Sequence, residues 1–531
     1  MRRPALSDLR ILLVVLGVLI TPVTANAQGL TADEVRAMAY AGDFAGLDIR
    51  LQDLQTKVAQ GQISADAQRD IYATFATTDP RMHRFVRAWL EGMPGSAHAN
   101  TAQAQIELTL GWYVRGPEFA QWTYPDAMEY FRRSQASAIR HAETALKNAP
   151  DLIPASDLMI LMAKSGRLPR SVHAYLADIM ERRPNYGSLS RGLTITGPNW
   201  GGDWDQVVDL CSRYALMVPD SPGYGIKVCQ LDAALSNHHD RKHALGLARL
   251  FDSSDAAALD RWRAYDAVYL RPDAPGARDR AAKEMMRDDF TDLALAESFD
   301  RFTSKPEGLP SMPALVFARL REKAREGIEH DPYNPDYLEV LGRDFVGIEK
   351  LPDAPSIPEQ IELKKRSLMF QPYHYEHWAE LAALQMRGFD MDNPFAADPY
   401  FINAIVYSNY HPQDVAVYLS HRLMLAMQHM RLSAPGGRLP EDLRQKALAS
   451  AFGRASDTEL LCPYVRIQRI WEANCARAPG EGFCTFNEMQ TQVMDMIAAK
   501  VETQDLCASE KSAPLPTLLY QPIPLDRSAV E

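Results

Sequence analysis

The sequence predicts an all-α fold, a solenoid of helical hairpins with disulfide-stapled helix pairs, and three observations carry that expectation. Apolar residues recur at helical spacing along nearly the whole chain: Leu47, Leu51, Leu54 and Val58, at intervals of four, three and four, share one helix face. Alternating runs that would read as strands are scarce, and proline and glycine fall in short clusters such as P-D-A-P-G (272–276) and K-P-E-G-L-P (305–310). Prolines also recur just beyond helix-like stretches, at Pro150, Pro184 and Pro219 and again at Pro332, Pro372 and Pro412. The residue before a proline is pushed out of the helical region, so each of these reads as a helix stop.

Taken in order, the chain opens on a basic stretch, M-R-R-P, then an apolar run from Ile11 to Val23 and the small-residue site Ala25-Asn26-Ala27. This is the anatomy of a secretory signal peptide over residues 1–27. The apolar run is shorter than the roughly 20 residues a membrane span needs, and no later segment reads as a span. The expected location is therefore periplasmic or secreted. With 57 basic and 68 acidic residues the net charge is −11, which argues against nucleic acid as a partner.

Thr31-Ala32-Asp33-Glu34 has the form of a capping box at the start of the first mature helix. Further on, six cysteines in an exported chain point to disulfides. Cys211 and Cys229 flank the turn V-P-D-S-P-G-Y-G symmetrically, so an antiparallel helix pair brings them face to face. Cys475 and Cys484 bracket A-R-A-P-G-E-G-F in the same manner, and Cys462 with Cys507 forms the outer bridge. All three are expected as staples without a catalytic role.

The proline spacing, 34 to 40 residues, is that of a two-helix repeat. Six residues after Pro332 stands Leu338, followed by Leu341-Gly342 and Phe345; six after Pro372 stands Trp378, followed by Leu381-Ala382. These segments resemble tetratricopeptide repeats, and Ala138 and Ala145 before Pro150 occupy small-residue positions where paired helices approach. Residues 40 to 220 carry a second resemblance: Trp89 with M-P-G-S-A-H-A, G-W-Y-V-R-G (111–116) and N-W-G-G (199–202) are similar to the landmarks of an uncharacterised bacterial domain-of-unknown-function family. That resemblance implies a helical, repeat-like fold and no known activity. The expected organisation is a signal peptide (1–27), an N-terminal helical domain (28–300), tetratricopeptide-like repeats (301–455), a stapled hairpin (456–511) and a proline-rich tail (512–531).

The stretch G-P-N-W-G-G-D-W-D-Q (197–206) is the candidate ligand site. In the structural reading Asp203 caps a helix with Gln206 at its third position, and Gly201 and Gly202 make the turn. In the functional reading Trp200 and Trp204 floor a pocket whose polar contacts are Asp203 and Arg115 of the G-W-Y-V-R-G motif, since indole faces stack on sugars and hold cations. Two histidine clusters, His238/His239/His243 and His374/His377, have helical spacing but neither forms H-E-x-x-H. No nucleophile elbow or phosphate-binding glycine loop occurs, and the sequence assigns no catalytic residue, metal or cofactor. The expected function is that of an exported scaffold or adaptor of the cell envelope binding a peptide or partner protein. The alternative is an envelope enzyme acting on a glycan with acidic residues near the W-G-G loop.

Overall fold

The computed structural model describes residues 30–116, 123, 125–163, 170–198, 202–218, 225–236, 279, 282–283, 285–286, 296, 312–332, 334–343, 355–408, 410–433, 440–477, 484 and 488–512. Among them are 22 α-helices and no strand, so the fold is all-α. The chain divides into two compact units. The first holds residues 1–76, 81–106 and 137–354; the second holds 77–80, 107–136 and 355–531.

In the first unit, α1 (Ala32–Tyr40) starts at the Thr31–Glu34 capping box, with both reciprocal bonds made. Helices α2 (Phe44–Ala59) and α3 (Ala65–Ala73) follow; the expected face of α2, Leu47, Leu51, Leu54 and Val58, is buried throughout. Then come α4 (Pro80–Gly92) and the long pair α5 (Ala97–Arg115) and α6 (Pro125–Asn148), which give residues to both units. Ala138 and Ala145 on α6 are fully buried, as close packing of small residues requires. Next are α7 (Ile153–Met162), α8 (Val172–Arg182), α9 (Tyr186–Thr196), α10 (Trp204–Tyr214) and α11 (Ile226–Ser236). Each packs on its successor, and α7 and α9 also pack on the next but one. The described part closes with α12 (Met312–His330) and α13 (Pro335–Gly342). A Cβ at Gly327 would stand 2.2 Å from the Tyr337 ring, so glycine is what lets α12 lie against α13.

The second unit contains α14 (Ile357–Phe370), α15 (Tyr375–Arg387), α16 (Asp398–Tyr407), α17 (Pro412–Ser433), α18 (Glu441–Ala449), α19 (Ala451–Arg454), α20 (Asp457–Arg477), α21 (Glu488–Thr503) and α22 (Ala508–Ser512). Its core joins Phe401, Tyr418, Leu419, Tyr464 and Ile497 across α16, α17, α20 and α21. Trp378, Leu381 and Ala382 are buried, and the Trp378 indole donates to the Pro372 carbonyl at 2.7 Å. Helices stop before Pro150, Pro184, Pro332 and Pro372 as expected, whereas Pro412, which also lies past the end of α16 at Tyr407, itself opens α17. Proline suits both places, because a first-turn N–H has no helical partner to lose. Pro219 and Phe345 lie outside the described residues.

All six cysteines are paired as the spacing implied: Cys211–Cys229, Cys462–Cys507 and Cys475–Cys484, with Cα separations of 5.6, 5.1 and 5.6 Å. The first joins α10 to α11, and the second ties α20 to the turn before α22 across 45 residues of chain. The chain-entropy relation puts the limit for so long a loop at about 4 kcal/mol. Replacing Cys462 and Cys507 together by serine is expected to approach that loss, read as a lower urea midpoint for the second unit. An unchanged midpoint would show that the bridge constrains nothing. No described helix is long and apolar enough to cross a membrane.

Candidate functional site

The W-G-G corner sits between α9 and α10. A Cβ at Gly202 would stand 1.9 Å from the Thr196 carbonyl oxygen, so the turn closes only with glycine there. Asp203 caps α10: its carboxylate accepts from the Gln206 amide at 2.8 Å, and the Gln206 side chain returns to the same carboxylate at 3.2 Å. The glutamine therefore bonds the capping side chain and not the capping backbone. Asp203 is exposed, Trp204 is half-buried, and Trp200 with Gly201 lies outside the described residues.

Arg115, the fourth expected ligand residue, belongs to the second unit, whereas Asp203 and Trp204 belong to the first. Its guanidinium lies over the Trp112 and Phe131 rings, at 5.2 and 5.9 Å, and donates to the Gly116 carbonyl at 3.0 Å. Within the W-x-x-R-G motif the arginine thus covers its own tryptophan, one turn back on α5. Gly111 makes room for this packing, since a Cβ there would lie 3.0 Å from Ser134 and 3.4 Å from Phe131 on α6.

The third landmark, M-P-G-S-A-H-A, is held by one carboxylate. Asp48 on α2 accepts from the Trp89 indole at 3.2 Å and from the Ser96 hydroxyl, which also caps α5 through the Ala99 amide at 3.0 Å. His98, 2% exposed, shares a 2.6 Å hydrogen bond between Nδ1 and the Tyr72 hydroxyl, and its Nε2 has no hydrogen-bond partner. Burial lowers its pKa to about 4, against the opposing pull of Asp48. The folded state therefore keeps this imidazole neutral while the unfolded chain protonates near pH 6.5, so stability falls as pH drops from about 6.5 to 4 and this group contributes no further loss below. His98→Asn, whose oxygen can replace Nδ1 as acceptor, is expected to reduce the slope of unfolding free energy against pH by about one proton in that window. Denaturation at pH 4.5, 5.5 and 6.5 checks it; an unchanged slope would mean that His98 does not titrate there.

The sequence missed an aromatic surface in the second unit that gathers residues from four helices and a turn. The Tyr113 ring of α5 lies 6.1 Å from His374, which stacks on His377 at 3.7 Å and 8°. Next in sequence, Tyr373 meets Tyr407 edge-on at 5.1 Å, and Trp378 beneath stacks on Tyr407 and Tyr400 at 5.9 and 6.4 Å. Tyr130 on α6 joins the cluster: burial raises its hydroxyl pKa, and the nearby Tyr373 adds to that rise. Lys365 stands 5.8 Å over Tyr400. Tyr113, Tyr130, Tyr373, His374, Tyr400 and Tyr407 are all half-buried, so each amphipathic ring keeps part of its area exposed, while Trp378 is buried. The nearest sequence signal is the density of aromatics in G-W-Y-V-R-G and F-Q-P-Y-H-Y-E-H-W; what it lacks is the approach of positions 113, 373 and 407.

The chain matches no protein-family model and no curated protein.

Proposed function

We propose that the protein is an exported, tetratricopeptide-like adaptor of the cell envelope that captures a peptide or partner protein on the aromatic surface of its second unit. The observation that carries this reading is the run of half-buried tyrosine and histidine rings from Tyr113 through His374 and Tyr373 to Tyr407. Rigid amphipathic rings give large contact area at small conformational cost, which is why tyrosine is favoured in binding surfaces. Export is supported by the signal-like N-terminus and by three disulfides that use all six cysteines.

The test is selection from a random-peptide display library against the oxidised protein. Wild type is expected to enrich a defined peptide class, and Tyr113→Ala or Tyr373→Ala to weaken the selected peptides about tenfold, the scale of one lost aromatic contact. Enrichment that survives both substitutions would move the binding surface elsewhere. The alternative, a glycan-acting enzyme at the W-G-G corner, is favoured by a half-buried Trp204 beside the exposed Asp203. It would show itself as turnover of cell-wall fragments that Asp203→Asn abolishes.

A further inference from the structure

We propose that the first unit carries a separate binding site for a carboxylate with an apolar group beside it, the chemistry of a peptide C-terminus or of a short-chain organic acid. The site is a cavity of about 410 Å³ between the end of α6 and helices α7 and α8. That volume lies in the range of small-ligand pockets. Leu146, Ile153 and Ile179 supply its apolar wall, and three arginines, Arg170, Arg182 and Arg183, stand around it.

Charge decides what such a cavity accepts. Its two carboxylates are already matched: Asp178 takes Arg170 at 2.7 Å, and Asp151 takes Arg182 at 3.1 Å. Arg183 has no carboxylate partner among the described residues; one guanidinium nitrogen donates to the Ala59 carbonyl, which uses one of its five N–H groups. The lining therefore keeps one uncompensated positive charge in a chain whose net charge is −11. Arg170 is also held over the Tyr175 ring at 5.1 Å, which fixes its fork at the rim. A guanidinium pairs with a carboxylate through two parallel hydrogen bonds, so an incoming carboxylate gains both a partner and an orientation. The apolar wall then faces the carbon chain attached to it.

This site is independent of the aromatic surface, so either can fail alone. The experiment is titration calorimetry on the oxidised full chain with three probes: N-acetyl-Gly-Leu as the free acid, the same dipeptide as its C-terminal amide, and pentanoate. The free acid is expected to bind at least tenfold more tightly than the amide, and Arg183→Gln to remove that preference. Arg170→Gln, at a more exposed position, serves as the second variant should Arg183→Gln lower the melting temperature. Pentanoate matching the dipeptide acid would assign the site to organic acids, and dipeptide binding alone would assign it to peptide C-termini; both support a carboxylate site. Equal binding of acid and amide, no binding of either acid, or an acid preference that survives both arginine substitutions would overturn it.

Discussion

Asp157→Asn is expected to cost the first unit about 3–5 kcal/mol, the loss from breaking a buried ion-pair network by removing one partner. Asp157 is 3% exposed and faces two guanidiniums: Arg69 Nε donates to it at 2.7 Å, and Arg191 Nη1 lies 3.6 Å away. The Ser188 hydroxyl donates to its other oxygen at 2.7 Å. Burial alone would raise the carboxyl pKa, but the two arginines and the serine bond outweigh it and hold the group below the ordinary range. Arg69 in turn reaches Asp66 and donates to Asn185 at 2.7 Å, so one network ties α3, α7 and α9. The Asn185 oxygen also caps α9 through the Ser188 amide at 2.8 Å. Neutralising Asp157 leaves Arg69 and Arg191 facing each other inside the unit with one fewer counter-charge. The folded pKa is depressed, so the network's contribution is present above the unfolded value near 3.9 and is lost only as pH falls through the folded value. This places its acid sensitivity below that of His98. Urea unfolding at pH 7 checks the size of the loss. The double variant Asp157→Leu/Arg69→Met is expected to lose less than the sum of its two single substitutions, because taking out Arg69 with Asp157 removes one of the two guanidiniums otherwise left without a counter-charge. A single-variant loss under about 1 kcal/mol would mean that solvent reaches the network.

What was legible in the sequence is what depends on neighbours along the chain. The face of α2, the Thr31 box, the Asp203 cap and the helix stops before Pro150 and Pro372 need only local rules of spacing and capping. The cysteine pairs were readable because two of them straddle short turns, which leaves one pairing for the rest. Pro412 shows the limit of such rules, since a proline marks the start of a helix as well as its end. Tertiary partners stayed hidden for a different reason. Arg69 meets Asp157 and Asn185 across 88 and 116 residues, and Tyr113 meets His374 from the far side of the sequence. Nothing in local pattern distinguishes those arginines and tyrosines from the many others. Arg115 is the converse case: its functional reading drew on a distant aspartate, while its contacts are the aromatic rings of its own hairpin.

Arg422→Met is expected to destabilise the second unit by about 3–5 kcal/mol, and a proline explains part of the amount. Arg422 on α17 is 1% exposed. It donates to Asp398 at 2.8 Å at the start of α16, lies 4.9 Å over the Phe395 ring, and donates from Nη2 to the carbonyls of Glu459 and Leu460 on α20. Pro463 stands inside α20 and has no N–H to offer the carbonyl four residues back, which is that of Glu459. The guanidinium supplies the hydrogen bond the proline withholds, beside the Cys462–Cys507 staple. Methionine fills the volume but leaves two deficits, the Glu459 carbonyl and the Asp398 carboxyl. Burial already raises the Asp398 pKa despite Arg422, so without the arginine this group is driven further toward its neutral form. Pro463→Ala restores a backbone N–H to Glu459. In that background the cost of Arg422→Met is expected to shrink by about 1–2 kcal/mol, the penalty of one unsatisfied buried carbonyl. A double-mutant cycle on urea unfolding measures this coupling. Coupling below about 0.5 kcal/mol would show that the proline and the arginine act separately, and that the cost of Arg422→Met lies with Asp398 alone.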